Sequence, residues 1–318
     1  MREVSIVIPN YNGKHFLEDC LTSVFAQNIK DQEVIVVDNG STDGSLEYLE
    51  NYPGVRVLAL DKNYGFCGAV YLGIQAADSE YVILLNNDTE VDPEFTGELL
   101  KAIKADESIF SCSSKMIQFH DRARMDDAGD YYCALGWAFG RGKGKPVKDY
   151  EDSANVFASC AGAAIYRKKL LEALGYFDEK HFAYLEDIDV GYRARIHGYR
   201  NVYAPKAVVY HVGSGFSGST HNAFKVKLSS RNNIYLIYKN MPFLQILLNS
   251  PFLLAGHTVK WLFFLKKGLG KEYLTGIKEG IALCKEGKKV RFSWENLPNY
   301  GVIQWELWLN MIRRLIGK

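Results

Sequence analysis

The sequence predicts an α/β protein: a mainly parallel, doubly wound sheet with a helical C-terminal appendage. Three observations carry that expectation. Short β-branched runs alternate with helical stripes four times in the first ~100 residues, a rhythm that needs crossover connections and therefore parallel strands. Those runs end in polar residues, Pro9-Asn-Tyr-Asn-Gly13, Asp38-Asn-Gly40 and Asn86-Asn87-Asp88, where open parallel sheets gather their ligands. At Met241-Pro242 the composition shifts, which divides the chain into residues 1–240 and 241–318.

Val4 to Ile8 reads as the first strand, closed by the Pro9 to Gly13 turn, and Phe16, Leu17, Cys20, Leu21, Val24 and Phe25 then fall at helical spacing. Glu33 to Val37 is the second strand. It ends in a Ser-, Asp- and Gly-rich turn that leads into a helix over Ser45 to Glu50. Val55 to Leu60 is the third strand, Phe66 to Ala77 a helical stripe after Asn63-Tyr-Gly-Phe-Cys-Gly68, and Tyr81 to Leu85 the fourth strand. Ser111 to Asn155 reads as strands broken by a flexible loop at Gly140-Arg-Gly-Lys-Gly-Lys145. Periodicity returns at Ala161 to Tyr166, with helices from Lys168 to Leu174 and from Leu185 to His197, and a strand from Ala207 to Tyr210 that delivers His211 to its end.

Composition excludes some classes. Lys and Arg total 38 against 37 Asp and Glu, so no bulk basic field draws nucleic acid. Six cysteines sit singly, without a C-x-x-C pair, as small core residues of a reducing compartment. The amino terminus enters a strand at once, without signal-peptide features, so a cytoplasmic location is expected. Phe243 to Leu265 is strongly apolar but is interrupted by Gln245, Asn249, Pro251, His257 and Lys260, which argues against an uninterrupted span. Two readings remain for 243–271: an amphipathic hairpin at a membrane surface, with Lys260, Lys266, Lys267 and Lys271 among aromatics, or an ordinary helical subdomain.

Several groups have the chemistry of a phosphate and proton-transfer site. Asp88 at a strand end suits a divalent ion and a diphosphate, with Asn86 and Asn87 offering amide contacts, and Asp38 suits hydrogen bonds from a base or ribose. Glu186-Asp187 opens a helix after the aromatic run Phe182-Ala-Tyr184; a structural reading is charge complementarity to the helix amino terminus, a catalytic one makes Asp187 a general base. His211 alone reads more naturally as a structural hydrogen-bonder than as a ligand. Gly213-Ser-Gly-Phe-Ser-Gly218 matches G-x-G-x-x-G but lacks the following helix and acidic strand end of a dinucleotide site.

Taken together, VSIVIPNYNG, VIVVDNGSTDGS, NYGFCGA, YVILLNNDTEVDP, GYFDEKHFAYLEDIDVGYRARIHGYR and APKAVVYHVGSG resemble, in order, the family 2 glycosyltransferases of GT-A fold and their rhamnosyltransferase-like group. The resemblance implies that Pro9, Tyr11 and Asp38 hold the nucleotide, with Asn63, Gly65 and Gly68 lining its pocket beside Asn86 and Asn87. It implies Asp88 and His211 as ligands of Mg²⁺ or Mn²⁺, Asp187 of the Glu186-Asp187 pair as base, and Arg231 at the diphosphate. Cys160 to Ala163 and Phe182 to Leu185 would border the sugar and the acceptor. The implied reaction is inverting transfer from a nucleoside diphosphate sugar to a glycan or polyprenyl-linked acceptor at the inner face of the cell membrane. Its rivals are a catalytically silent nucleotide-sugar binding protein and a sugar-phosphate nucleotidyltransferase. The chain departs from the family pattern at Asn86 and Asn87, where an Asp-x-Asp motif has its first two residues, and at Val70 and Tyr71, where polar residues are usual.

Overall fold

A computed structural model describes residues 2–29, 31–213 and 222–316. The N-terminal part runs β1 (Val4–Asn10), α1 (Lys14–Phe25), β2 (Gln32–Asp38), α2 (Ser45–Leu49), β3 (Val55–Ala59), α3 (Gly65–Ala76), β4 (Tyr81–Leu85), β5 (Thr89–Val91) and α4 (Phe95–Lys104). Then come β6 (Ile109–Gln118), β7 (Asp121–Asp127), β8 (Asp130–Cys133), β9 (Trp137–Gly140), β10 (Ala154–Val156), β11 (Ala163–Arg167) and α5 (Lys168–Ala173). The remainder is α6 (Glu186–Ile196), β12 (Arg200–His211), α7 (Ala223–Asn240), α8 (Phe243–Lys266), α9 (Gly270–Glu286) and α10 (Leu297–Leu315).

Among the described residues one sheet has the order β10-β12-β6-β11-β4-β1-β2-β3, with β5 beside β12 and β7 beside β6. The strands β4, β1, β2 and β3 are parallel, as the βα rhythm requires. Beyond β4 the sheet is mixed: β11 is antiparallel to both β4 and β6, and β12 returns parallel to β6. The tight β6–β7 return has no room for a crossover helix, so that pair must be antiparallel.

Alternating side chains fill the two faces. Ile6, Ile8, Val34, Val36, Ile83 and Leu85 pack with Leu17, Leu21, Phe95 and Leu99 of α1 and α4, whereas Val7, Ile35, Val37, Val82 and Leu84 pack with Val70 and Ile74 of α3. A third cluster joins Tyr132, Ile188, Tyr192 and Leu236 to Leu253, Tyr300, Ile303 and Leu307. It draws on both sides of position 241, so the C-terminal helices share a core with the strands and helices before them. Gly140 to Lys145, expected as a flexible loop, is tied to β7: Met125 N–H donates to the Lys145 carbonyl, and Gly144 N–H to that of Met125. The glycine-rich match at 213–218 lies, beyond Gly213, outside the described residues.

Candidate active site

The carboxyl ends of β1, β2 and β4 lie side by side, because Asn10 is in register with Asp38 and Val7 with Leu84. This brings together side chains far apart in the chain. Asn10 Nδ2 donates to Asp38 Oδ2 at 2.9 Å, and Asn87 Nδ2 donates to Asn10 Oδ1 at 2.7 Å. The other Asp38 oxygen accepts from Ser41 N–H at 2.9 Å. Gly13 is needed where it stands, since a β-carbon there would overlap the Asn87 amide. Asn39 extends the network to the next turn, donating to Asn63 Oδ1 and the Gly65 carbonyl while Asn63 Oδ1 accepts from Gly65 N–H. Gly65 has φ +77°, and a β-carbon there would stand 2.5 Å from the Phe182 carbonyl. Pro9 is the next-to-last residue of β1, opposite Val37, Tyr11 follows the strand half-buried, and Gly68 lies in the first turn of α3.

At the end of β4, Asn86 N–H donates to the Gly162 carbonyl at 2.8 Å and its carbonyl accepts from Thr89, so the strand end is pinned to the Cys160–Ala163 segment. Asp88 and His211 face each other, with Nε2 3.3 Å from Oδ1. His211 Nδ1 lies 2.7 Å from Asp126 Oδ2, and Lys143 Nζ is 3.2 Å from the other Asp126 oxygen. Burial would lower the His211 pKa, but hydrogen bonds to Asp126 and Asp88 outweigh it and raise it to about 9. Burial lowers the Lys225 amine, and the charge of Lys143 adds to this, which puts a second cation in the neighbourhood.

The geometry fits a divalent ion at Asp88 and His211. Two adjacent ligands of an octahedral ion with bonds of ~2.1 Å stand ~3 Å apart, and the observed 3.3 Å matches. Asp126 would supply the outer carboxylate that orients His211 as a ligand, with Nε2 giving up its proton to the ion. Asp127, Asp130 and Cys160 form a three-residue cluster nearby. It is a poorer match for Mg²⁺ or Mn²⁺, because burial first and then Asp127 and Asp130 hold the Cys160 thiol protonated, and those ions prefer oxygen.

Asp187 meets Asp130. The two side chains are hydrogen-bonded, and burial raises both, Asp130 further because Asp127 and Asp187 crowd it. Side-by-side carboxyls in a desolvated space cannot both ionise, so the pair retains a proton between them. Asp187 Oδ1 also accepts from Ile188 N–H at 2.7 Å. Glu186 is buried and raised by that burial and by Asp187, and its Oε2 has no hydrogen-bond partner among the described residues. The third carboxylate of this run belongs to the core. Asp189 accepts from Arg193 Nη2 at 2.8 Å, Lys239 Nζ at 2.9 Å and Asn240 Nδ2 at 2.8 Å, and against burial these cations keep it ionised well below the usual carboxylate range.

The backbone entering the Glu186-Asp187 pair is strained. Phe182, Tyr184 and Leu185 have φ of 63°, 72° and 68°, a region that side-chain-bearing residues rarely adopt. Two residues of α7 clamp it. Asn232 Nδ2 donates to the carbonyls of His181, Ala183 and Tyr184, each at 2.8 Å. Arg231, expected at the diphosphate, directs Nη2 to the carbonyls of Lys180 and His181 at 2.8 and 2.9 Å. The Phe182 carbonyl accepts from Cys67 N–H, joining this loop to the Gly65–Gly68 turn.

Sequence reasoning missed Asn10, Asp126, Asp127, Asp130, Lys143 and Asn232. A signal existed for some: Asp126-Asp127-Ala-Gly-Asp130 places three carboxylates around one glycine. For Asn10 and Asn232 no sequence signal points beyond a turn and a helix.

The family described as "Glycosyl transferase family 2" matches residues 5–175. Over 232 residues the chain is 26% identical to the N-acetylglucosaminyl-diphospho-decaprenol L-rhamnosyltransferase of Mycobacterium tuberculosis, a stretch covering 65% of this chain and 75% of that protein. It is 33% identical over 121 residues to the cholesterol galactosyltransferase of Borreliella burgdorferi, covering 37% of this chain and 34% of the relative. Among solved structures, S. aureus TarS 1-349 with UDP-GlcNAc aligns at TM-score 0.57 and 18% identity, over 92% of this chain and 94% of that one. The mannosyltransferase PcManGT of Pyrobaculum calidifontis with GDP-Man and Mn²⁺ aligns at TM-score 0.53 and 17% identity, over 88% and 84%. At such identities these structures speak to the fold. With half the chain inside the family match and a rhamnosyltransferase among the relatives, this chain belongs to glycosyltransferase family 2, as an enzyme of GT-A fold in the rhamnosyltransferase-like group.

Proposed function

We propose that the chain moves a sugar from a nucleoside diphosphate sugar, dTDP-rhamnose or a UDP-sugar, to a hydroxyl of a glycan or polyprenyl-linked acceptor, with inversion at the anomeric carbon. The observation that carries this reading is the buried Asp187–Asp130 pair: two hydrogen-bonded carboxyls that burial makes more basic, set where a proton can be taken up. In this reading Asp187 accepts the acceptor's proton as its oxygen attacks the anomeric carbon, and the bond from that carbon to the diphosphate breaks on the opposite side. Asp38 and the Asn10, Asn39, Asn63 and Asn87 network hold the base and ribose end, beside Pro9, Tyr11, Gly65 and Gly68. Mg²⁺ or Mn²⁺ bound by Asp88 and His211 would neutralise the leaving diphosphate. Lys143 and Lys225 add positive charge there, the role first expected of Arg231. Residues 1–240 carry this chemistry, and 241–318 are a helical region that brings 243–271 to the inner membrane face as a peripheral contact.

The test is transfer from dTDP- and UDP-sugars to a water-soluble acceptor analogue, with Mg²⁺, Mn²⁺ or a chelator, in the wild type and Asp187→Asn. Turnover of the variant is expected to fall about 10²–10⁴-fold while donor still raises its melting temperature. Unchanged turnover in Asp187→Asn would overturn the mechanism.

A further inference from the structure

Helix α8 is inside out. Over its 24 residues, Gln245, Asn249, Leu253 and Gly256 are the buried positions, and most of them are polar or small. Gln245 Oε1 accepts from Tyr192 at 2.7 Å, and Asn249 and Gln304 exchange hydrogen bonds at 2.8 and 2.9 Å. Gly256 lies so close to the Leu135 carbonyl that a β-carbon would overlap it. The opposite side carries the large apolar residues. Leu244 and Leu254 are 73% and 72% exposed, and Leu247, Leu248, Val259 and Leu262 continue the same stripe at helical spacing. A helix docked on a protein core normally presents its leucines inward; this one presents them outward along ~27 Å.

Charge says what the stripe meets. Residues 243–271 hold Lys260, Lys266, Lys267 and Lys271 and no Asp or Glu. Lys266, Lys267 and Lys271 are exposed where α8 ends and α9 begins. A bare apolar stripe bordered by lysines, without an acidic residue, matches acyl chains beneath anionic headgroups. Two copies of the same face would instead set lysines against apolar surface or against each other. No helix of the described residues is long and apolar enough to cross a membrane; in α8 the buried polar residues lie on the side that faces the protein.

We propose that α8 is an interfacial helix: the stripe from Leu244 to Leu262 lies in the surface of an anionic bilayer, with Lys266, Lys267 and Lys271 on its headgroups. This deepens the peripheral contact of the proposed function and does not depend on the sugar-transfer chemistry. An enzyme seated this way takes lipid-linked acceptors from the membrane plane.

The full chain is floated with vesicles of phosphatidylcholine alone or of phosphatidylcholine with phosphatidylglycerol. The wild type is expected to float with the anionic vesicles and at least tenfold less with the neutral ones. Leu247→Glu with Leu254→Glu should lose flotation at least tenfold, and Lys266→Glu with Lys267→Glu should lose most of the preference for anionic vesicles. Both double variants sit on exposed positions and should keep the wild-type melting temperature and transfer to a water-soluble acceptor. The inference is overturned if the wild type stays unbound on anionic vesicles, if both variants float like it, or if it is a lipid-free dimer that Leu247→Glu with Leu254→Glu turns into monomer. Because transfer to the soluble acceptor is read separately, a failure of the chemistry and a failure of membrane docking are distinguishable.

Discussion

Asn232 shows how much one amide can organise. Its Nδ2 gathers three carbonyls of the loop whose left-handed residues aim Glu186 and Asp187. Replacing it with Ala removes those donors and frees the loop to relax toward ordinary φ values. Small displacements of a catalytic group are costly, so Asn232→Ala should lower turnover about 10²-fold, with a stability loss of about 1–3 kcal/mol. Parallel measurement of turnover and thermal melting checks both; a stability loss with full turnover would show that the clamp does not position Asp187. Beside it, His181 is fully buried, stacks near Tyr235 at 5.3 Å, and has no hydrogen-bond partner on either nitrogen among the described residues. Burial lowers its pKa to about 4. The unfolded chain therefore binds this proton from its ordinary ~6.5 downward while the native state resists until about 4. This one histidine should contribute a stability loss of about 3 kcal/mol across that window. His181→Phe keeps a ring against Tyr235 and should flatten the loss, as melts at intervals between pH 7 and 4 would show; an unchanged slope would assign the acid sensitivity elsewhere.

At the scale of elements, polar interruptions acquire a direction. The Gln245 and Asn249 that break the apolar run of α8 lie on its protein-facing side, and Asn249 meets Gln304 of α10 there. Removing one partner leaves the other buried and unpaired, whereas removing both leaves an apolar contact. Asn249→Leu should cost about 1–3 kcal/mol, and Asn249→Leu with Gln304→Leu should recover most of it. Urea unfolding of the two single variants and the double closes that cycle; simple additivity would mean the pair contributes nothing as a pair. The β7–β8 return matters in the same way. It reads as an irregular segment, yet it carries Asp126 to the back of His211 and Asp130 to Asp187, so one short connection between two sheets serves both ends of the site.

For the whole molecule, the third core cluster decides how separable the C-terminal helices are. Leu253, Tyr300, Ile303 and Leu307 bury against Tyr132, Ile188, Tyr192 and Leu236, Asn310 donates to the Tyr132 carbonyl at 2.9 Å, and Ala134 N–H donates to that of Leu307 at 3.1 Å. Exposing four such side chains forfeits about 1.5–3 kcal/mol each, comparable to the total stability of about 5–15 kcal/mol. A chain ended after Met241 should therefore lose its cooperative melting transition, measured by circular dichroism. A sharp transition near that of the full chain would instead make 1–240 an independent folding unit.

The sequence by itself determined the parallel half of the sheet and the positions of Asp38 and Asp88, because period-two apolar runs and polar strand ends are local patterns that the chain repeats. It also determined the family, since six ordered motifs resemble one. Only the tertiary structure decided which carboxylates act together. Asp127 and Asp130 meet Cys160 at the β7–β8 connection, Asp189 is withdrawn into an ion network with Arg193 and Lys239, and Arg231 turns to two loop carbonyls, placements that depend on contacts between residues distant in sequence. The direction of α8 was decided there too. Periodicity shows that a helix has two faces, but which face meets the protein depends on what the rest of the fold offers it.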